Sequence, residues 1–139
     1  MSADDHLTYD VGRMRRERLA RLRHHMAAQD VVATVLLHEP HVAYASGHVG
    51  PAVDSTHAVY QRPVAIIGQE GPVHLFADHP SSDLAAEIHP SVFPELDESI
   101  AGLVEAIGAA TGTSSAGRLA IDEVTGAMLR SGLLDGFDL

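Results

Sequence analysis

Histidines are the residues of this sequence whose chemistry first suggests a function, since ten of them occur among 139 residues. His38 and His41 stand three positions apart, and one turn of chain would bring both imidazoles to the same side. Imidazole is a common zinc ligand, and His48 or His57 is near enough in sequence to complete such a site. The chain has neither a cysteine nor an H-E-x-x-H motif, which are the more specific signs of zinc binding. We therefore expect scattered surface histidines and no metal ligand in this chain.

Hydroxyl and carboxyl groups offer little more for catalysis. The run Ser46-Gly47-His48 carries a hydroxyl and an imidazole, but side chains this close in sequence rarely face each other, and a turn is the ordinary interpretation. Two acidic pairs, Asp97-Glu98 and Asp122-Glu123, are neighbours whose side chains diverge in a helix or a strand. We predict no catalytic residue in the chain.

Hydrophobic periodicity predicts the elements that position these groups. A helix is expected over 11–29, because its apolar residues recur three to five positions apart and Asp10 can cap its first turn. The apolar run over 31–37 is typical of a strand covered on both faces, and Pro40 then opens a helical turn over 41–45. Further along we predict a strand over 57–68 that forms a hairpin with a strand over 72–76. The remaining predicted elements are helices over 80–88 and 96–110, a loop over 111–117, a strand over 118–122 and a helix over 125–134.

This order of elements predicts one α/β domain over residues 1–139, with a mixed sheet flanked by helices. The proportions of hydrophobic residues, 45%, and of charged residues, 20%, are those of a globular domain. Residues 1–10 are polar and acidic, and we expect them to form a disordered tail.

The charge of the chain excludes several classes of function. Its formal net charge is −10, and the chain contains no Lys, so nucleic-acid binding and Schiff-base chemistry are disfavoured. Six of the nine Arg lie between Arg13 and Arg23, which indicates a basic helix that docks either on its own acidic domain or on an external partner. There is no apolar run long enough to span a membrane and no secretory signal, and we expect a cytoplasmic location.

Several short motifs follow one another in an order that we recognise. Arg16–Leu22 resembles an R-x-x-R-L-x-x-L helix, and Met26–Ala33 resembles the end of such a helix running into a first strand. Pro40–Gly47 is similar to a P-x-N-I-x-Y-L-T-G turn, although His replaces the common Asn. The hairpin at 63–76 and the strand Arg118–Asp122 resemble later elements of the same pattern. Over about residues 12 to 138, the chain resembles the N-terminal domain of the creatinase/prolidase family, the M24 group of metallopeptidases and their relatives.

The resemblance implies a fold with a ribonuclease H-like motif, placed before a separate C-terminal catalytic domain. In the family that catalytic domain binds a divalent metal such as Mn, Co or Zn through two Asp, one His and two Glu, with the pattern Asp-x10-Asp. No two Asp stand at that spacing here, so we expect the catalytic domain to be absent from these residues and to follow Leu139. No cofactor is expected within the chain itself.

The resemblance also implies what the domain does. We expect a non-catalytic domain that shapes the substrate pocket of an Xaa-Pro dipeptidase, an aminopeptidase or a related C–N hydrolase. Its expected partners are its own catalytic domain and a second subunit of a homodimer. The loop from His48 to His57 is the expected edge of the pocket, with His48, Asp54 and His57 as the candidate contacts to a charged end of the substrate.

Two further functions stay open at this point. The first is a stand-alone binding or dimerisation module of the same fold without hydrolase activity, which a stop codon directly after Leu139 would favour. The second is a small hydrolase that uses a histidine site, which would be favoured by tight metal binding that His38→Ala or His41→Ala abolishes.

Overall fold

The computed structural model describes residues 10–49, 62–78, 80, 84–112, 117–135 and 137–138. Of the predicted tail it describes only Asp10, whose carboxylate caps the first helix by accepting a hydrogen bond from the Arg13 N–H at 2.9 Å. The helices are α1 (Val11–Ala28), α2 (Glu39–Ser46), α3 (Ile100–Thr111, after a 3-10 turn at Asp97–Ser99) and α4 (Gly126–Ser131). The strands are β1 (Val31–Leu36), β2 (Val64–Gly68), β3 (Val73–Phe76), β4 (Ala86–His89), β5 (Gly117–Ile121) and β6 (Phe137–Asp138).

The described strands form one mixed sheet in the order β4-β3-β2-β1-β5-β6, which confirms the predicted fold class. β2 runs antiparallel to both of its neighbours, β1 and β3. The remaining pairs, β1–β5, β3–β4 and β5–β6, are parallel. The β2–β3 pair is the hairpin expected at 63–76. Because β1 and β5 are parallel neighbours, their carboxyl ends meet at the same edge of the sheet.

Side chains of the strands alternate between two apolar layers, one on each face of the sheet. In β2, Val64 and Ile66 pack into the layer beneath α3 and α4, whereas Ala65 and Ile67 pack into the layer beneath α1 and α2. All four side chains are fully buried. A strand covered on both faces needs apolar residues at every position, which is why β2 shows no alternation in the sequence.

The arginine-rich helix α1 is docked on its own domain. Arg23 donates through Nε to the main-chain oxygen of Gly68 at 3.0 Å and through a terminal nitrogen to that of Gly71 in the hairpin loop. Arg18 lies over the ring of Tyr44 in α2, with 5.3 Å between the guanidinium carbon and the ring centroid. These contacts favour the intramolecular explanation of the basic helix. In the described parts of the chain we find no helix that combines the length and the apolar character needed to cross a bilayer.

Gly68 allows the sheet to approach α3 closely. A Cβ atom at this position would lie 2.3 Å from the main-chain oxygen of Ala110, near the end of α3. Main-chain atoms cannot rotate away from such a clash, so any larger residue would push the helix from the sheet.

The helix predicted over 80–88 is wrong. Residues 81–83 lie outside the described residues, and Ala86–His89 form strand β4, which pairs parallel with β3. A helix of this length is marginal in water, whereas an extended chain can pair its main-chain groups with the open edge of β3. The two-residue strand β6 also escaped prediction, because two residues display no periodicity. The residues predicted as strand at 57–61, and those of the loop at 113–116, lie outside the described part of the chain.

Candidate functional site

Asp122 is the first residue after β5 and lies at the edge where the carboxyl ends of β1 and β5 meet. Its Oδ1 accepts a hydrogen bond from the main-chain N–H of Leu37 at 2.8 Å. Its Oδ2 accepts one from the N–H of His38 at 2.9 Å and one from Nδ1 of His41 at 3.0 Å. We name these four residues the Asp122 clamp. The clamp ties the end of β1 and the first turn of α2 to the end of β5.

Two opposing effects act on the pKa of the Asp122 carboxyl. Burial raises this pKa, because the charged form loses hydration. The hydrogen bonds from Leu37, His38 and His41 lower it, and together they outweigh the burial, so that the pKa lies below its ordinary value. The side chain is 10% exposed. The clamp thus contains a carboxylate whose low pKa favours the charged form and which accepts three hydrogen bonds, rather than a base poised to accept a proton.

The Asp122–His41 pair has two of the three groups of a hydrolytic triad, and the His41 side chain is 55% exposed. The third group would be a nucleophile. Ser46, which the sequence places nearby, donates its hydroxyl to the Val42 oxygen at 2.6 Å and accepts the His48 N–H at 3.1 Å. Both hydrogen bonds belong to the end of α2, so Ser46 acts in the turn, as expected.

Gly47 ends α2 in the left-handed conformation, with φ of +79°, and donates its N–H to the Ala43 oxygen at 2.8 Å. A Cβ atom here would also lie 2.4 Å from the Arg15 side chain. His48 follows with 5% of its surface exposed. Burial lowers the pKa of His48, and the opposing effect of Glu39 is smaller. Burial therefore favours the neutral imidazole of His48 where the chain leaves α2.

Arg62 lies where the chain returns to the described residues and is anchored at the same edge. Its two terminal nitrogens donate to Glu123 Oε2 at 2.6 Å and to Glu95 Oε1 at 2.9 Å. The Arg62 side chain is 18% exposed, whereas those of Glu95 and Glu123 are 35% and 44% exposed, so both ion pairs are partly exposed to water. Asp122 and Glu123 diverge, as their adjacency in sequence predicts, and each holds a different segment.

Of the described histidines that the sequence suggested as metal ligands, the structure brings only two close together. The His38 and His41 rings lie close, with centroids 5.0 Å apart. Within the described ranges, the ligand atoms of these two residues and of His48 do not gather around a common point at which a metal ion could bind. Asp54 and His57 lie outside the described residues, and contact between a substrate and His48, Asp54 or His57 stays a prediction.

A second cluster of polar side chains lies at the open edge of the sheet and comprises His74 of β3 with Glu87 and His89 of β4. We name it the histidine–glutamate cluster. His74 Nδ1 and His89 Nε2 are 3.0 Å apart, and each lies 3.8 Å from a carboxylate oxygen of Glu87. Burial lowers the pKa of His74, Glu87 raises it by less, and His89 lowers it slightly further.

Sequence reasoning missed this cluster because of the wrong helix over 80–88. In a helix, Glu87 and His89 would point to different sides, whereas in a strand residues two apart share a face. The available signal was the alternation Ala86-Glu87-Ile88-His89. Nothing in the sequence places this segment beside His74, thirteen residues before Glu87, because that pairing depends on the order of the strands.

The sequence model of the creatinase/prolidase N-terminal domain matches residues 18–131, a range that contains both the clamp and the cluster. Among solved structures, the chain is similar to the creatinase/prolidase-like N-terminal domain of a candidate metallopeptidase from Corynebacterium diphtheriae. The two chains are 18% identical, with a TM-score of 0.42, and the match covers 82% of this chain and 98% of the other. No significant match was found among curated protein sequences.

Proposed function

The chain belongs to the creatinase/prolidase N-terminal domain family, and from that premise we propose that it serves a metal-dependent hydrolase as a non-catalytic N-terminal domain. In this proposal the parent enzyme cleaves an Xaa-Pro peptide bond or a related C–N bond. The present domain shapes the substrate pocket and helps to form the dimer, as the resemblance of its motifs implies.

The observation that carries this proposal is the set of hydrogen bonds and ion pairs made by the carboxylates at the sheet edge that contains the clamp. Asp122 accepts two main-chain N–H groups and an imidazole, while Glu95 and Glu123 both pair with Arg62. A general base needs a lone pair that is free to take a proton from water or substrate. The lowered pKa of Asp122 makes it a weak base, and Arg62 holds Glu95 and Glu123 through one oxygen each, so these contacts support a structural role for the edge.

The same contacts support a role in shaping a pocket. The segment that leaves α2 starts from the left-handed cap at Gly47 and the buried His48, and it returns at Arg62 with its two ion pairs. The described residues at both ends of this segment are therefore held by contacts within the domain, and Arg62 is held next to the clamp. Asp54 and His57 lie between those ends in sequence.

The metal of the family's hydrolases does not fit the residues of this edge. Its ligand set of two Asp, one His and two Glu is not gathered here, because no three potential ligand atoms of the described residues come together at this edge. The sequence also contains no Asp-x10-Asp pattern. We therefore assign no step of the hydrolysis to these residues.

A first experiment measures hydrolysis of Xaa-Pro dipeptides by the purified 139-residue chain with added Mn²⁺, Co²⁺ or Zn²⁺. We expect no turnover above that of the metal ion alone. Metal-dependent turnover by this chain would contradict the non-catalytic role and would favour a small hydrolase.

A second experiment sequences the source DNA beyond the codon for Leu139. A frame that continues through Asp-x10-Asp and later His, Glu and Glu codons supports the proposal. A stop codon immediately after Leu139 overturns it in favour of a stand-alone binding module. In the continuous protein, we expect Asp54→Ala and His57→Ala to raise KM while His24→Ala, on the exposed part of α1, leaves it unchanged.

A further inference from the structure

The register of β3 and β4 places the histidine–glutamate cluster on one face of the sheet. His74 stands opposite Glu87, and Phe76 stands opposite His89, in a parallel pair. Residues two apart in a strand share a face, so all four side chains lie on the same side. Phe76 packs into the apolar layer beneath α3, which identifies that side. The cluster therefore results from strand pairing and needs no folding of flexible loops.

The spacing of the polar atoms is close to that of a metal site. The three ligand atoms lie within 4.8 Å of one another, and among the described residues this is the one such group of three. Ligand atoms of a tetrahedral zinc stand about 3.3 Å apart, given zinc–ligand bonds of about 2.0–2.1 Å. The present separations are 3.0 Å between the two ring nitrogens and 3.8 Å from each nitrogen to the carboxylate. The two 3.8 Å contacts involve different oxygens of Glu87, so ligation through a single carboxylate oxygen requires this exposed side chain to rotate towards the two imidazoles.

The imidazoles are also held in orientation by their surroundings. The ring of His89 lies nearly parallel to that of Phe76, with centroids 4.6 Å apart, and its centroid is 5.3 Å from that of His74. The His74 side chain is only 6% exposed, yet its Nδ1 points towards the other two ligands. Side chains whose rotamers are already restricted lose little entropy when they bind an ion.

We propose that His74, Glu87 and His89 bind a zinc ion. Two imidazoles and one carboxylate are donors that suit zinc, whereas calcium and magnesium prefer oxygen donors throughout. Glu87 is 54% exposed, so the site is open to solvent on one side and a water completes four-coordination. This site goes beyond the proposed function, and its donors differ from those of the family's hydrolytic centre.

The bound ion would tie an edge strand to the rest of the sheet. β4 is the last strand of the described sheet and pairs only with β3 in it. None of its residues is fully buried, so it gains less from apolar burial than the central strands do. A metal bridge from His74 to Glu87 and His89 adds a cross-link to a strand that has no fully buried residue of its own. Zinc should therefore slow the exchange of the β4 amides.

The competing explanation is a hydrogen bond between the two imidazoles, in which one ring nitrogen carries a proton and the other accepts it. That arrangement also accounts for the 3.0 Å separation. The two explanations differ in what Glu87 does, since the carboxylate is a ligand in the first and a distant neighbour at 3.8 Å in the second. The test must therefore change Glu87 as well as a histidine.

The test titrates Zn²⁺ into the chelator-treated chain in competition with a chromogenic zinc indicator. We expect one zinc per chain, with affinity lowered more than about tenfold by His89→Gln and by Glu87→Gln, since that factor is already typical of a change beside a ligand. His41→Gln is the matched control, because it removes another histidine that contacts a carboxylate, and its zinc affinity should equal that of the unchanged chain. His74 is left intact, because replacing so buried a side chain would test folding as well as binding.

Circular dichroism of each variant establishes that it is folded, and hydrogen exchange with and without Zn²⁺ locates the effect. Slower exchange of the β4 amides in the unchanged chain alone supports the site. Zinc uptake that both His89→Gln and Glu87→Gln retain would mean that the ion binds elsewhere. That result, or the absence of uptake by the unchanged chain, would overturn the proposal in favour of the imidazole–imidazole hydrogen bond.

Discussion

The Asp122 clamp and the histidine–glutamate cluster both place imidazole beside carboxylate, yet they offer opposite chemistry. In the clamp, the carboxylate is 10% exposed and accepts two main-chain N–H groups before it meets His41. In the cluster, Glu87 is 54% exposed and stands 3.8 Å from both imidazoles. The difference teaches that the main chain decides the availability of a carboxylate. Where main-chain groups at strand ends need an acceptor the acid becomes structural, whereas the exposed Glu87 on the edge strand β4 stays available for a ligand.

The largest effect should come from Asp122→Ala. It removes the acceptor of the buried Leu37 N–H and of the His38 N–H, and each hydrogen bond to a charged group contributes about 1.5–3 kcal/mol. We expect the free energy of unfolding to fall by about 3 kcal/mol, measured by urea denaturation at pH 7 with an unchanged slope. Glu123→Ala is the control, because it breaks one partly exposed ion pair and should cost less than about 1 kcal/mol. Equal losses of unfolding free energy for the two variants would mean that the hydrogen bonds of Asp122 stabilise the chain no more than a partly exposed ion pair does.

Zinc should stabilise the chain through the cluster and not through the clamp. An ion that binds only the folded chain adds about 2.7 kcal/mol at a free concentration one hundred times its dissociation constant. Thermal unfolding with and without zinc should show this gain in the unchanged chain and in His41→Ala, but not in His89→Gln. If His41→Ala abolished the stabilisation by zinc, the ion would bind at the clamp rather than at the histidine–glutamate cluster.

Acid should weaken the clamp within a defined range of pH. The pKa of Asp122 is lower in the folded chain than in the unfolded chain, where an aspartate titrates near about 3.9. The contribution of the carboxylate is therefore complete above that value and is lost as pH falls through the folded pKa. The difference in unfolding free energy between the unchanged chain and Asp122→Asn should shrink below about pH 4. A difference that stays constant from pH 7 down to pH 3 would show that the charge of Asp122 contributes nothing.

The smallest effect should come from His41→Ala. The His41 side chain is 55% exposed, and Asp122 keeps both main-chain donors when the ring is gone. Partly exposed ion pairs contribute about 0–1 kcal/mol, and we expect a loss within that range by urea denaturation. A loss as large as that of Asp122→Ala would mean that the imidazole, rather than the main chain, is the main partner of the carboxylate.

The sequence predicted those elements whose pattern is local. The continuous apolar run of β1, the helix with Asp10 at its start and the hairpin at 63–76 each contain their own signal, and the structure confirms them. The helix predicted over 80–88 failed, because a short alternating segment after Pro80 is compatible with either state. Only the free edge of β3 selects the strand.

The sequence by itself determined the α/β class, the family motifs and the divergence of Asp122 from Glu123, since all of these follow from residue order and periodicity. The tertiary structure alone decided which distant residues contact one another. Parallel pairing of β1 with β5 brings Asp122 to Leu37, 85 residues away, and pairing of β3 with β4 brings His74 to Glu87 and His89. Hydrogen bonds and metal coordination act over about 2 to 3 Å. Whether two distant residues reach that separation depends on the order of the strands, which no short stretch of sequence contains.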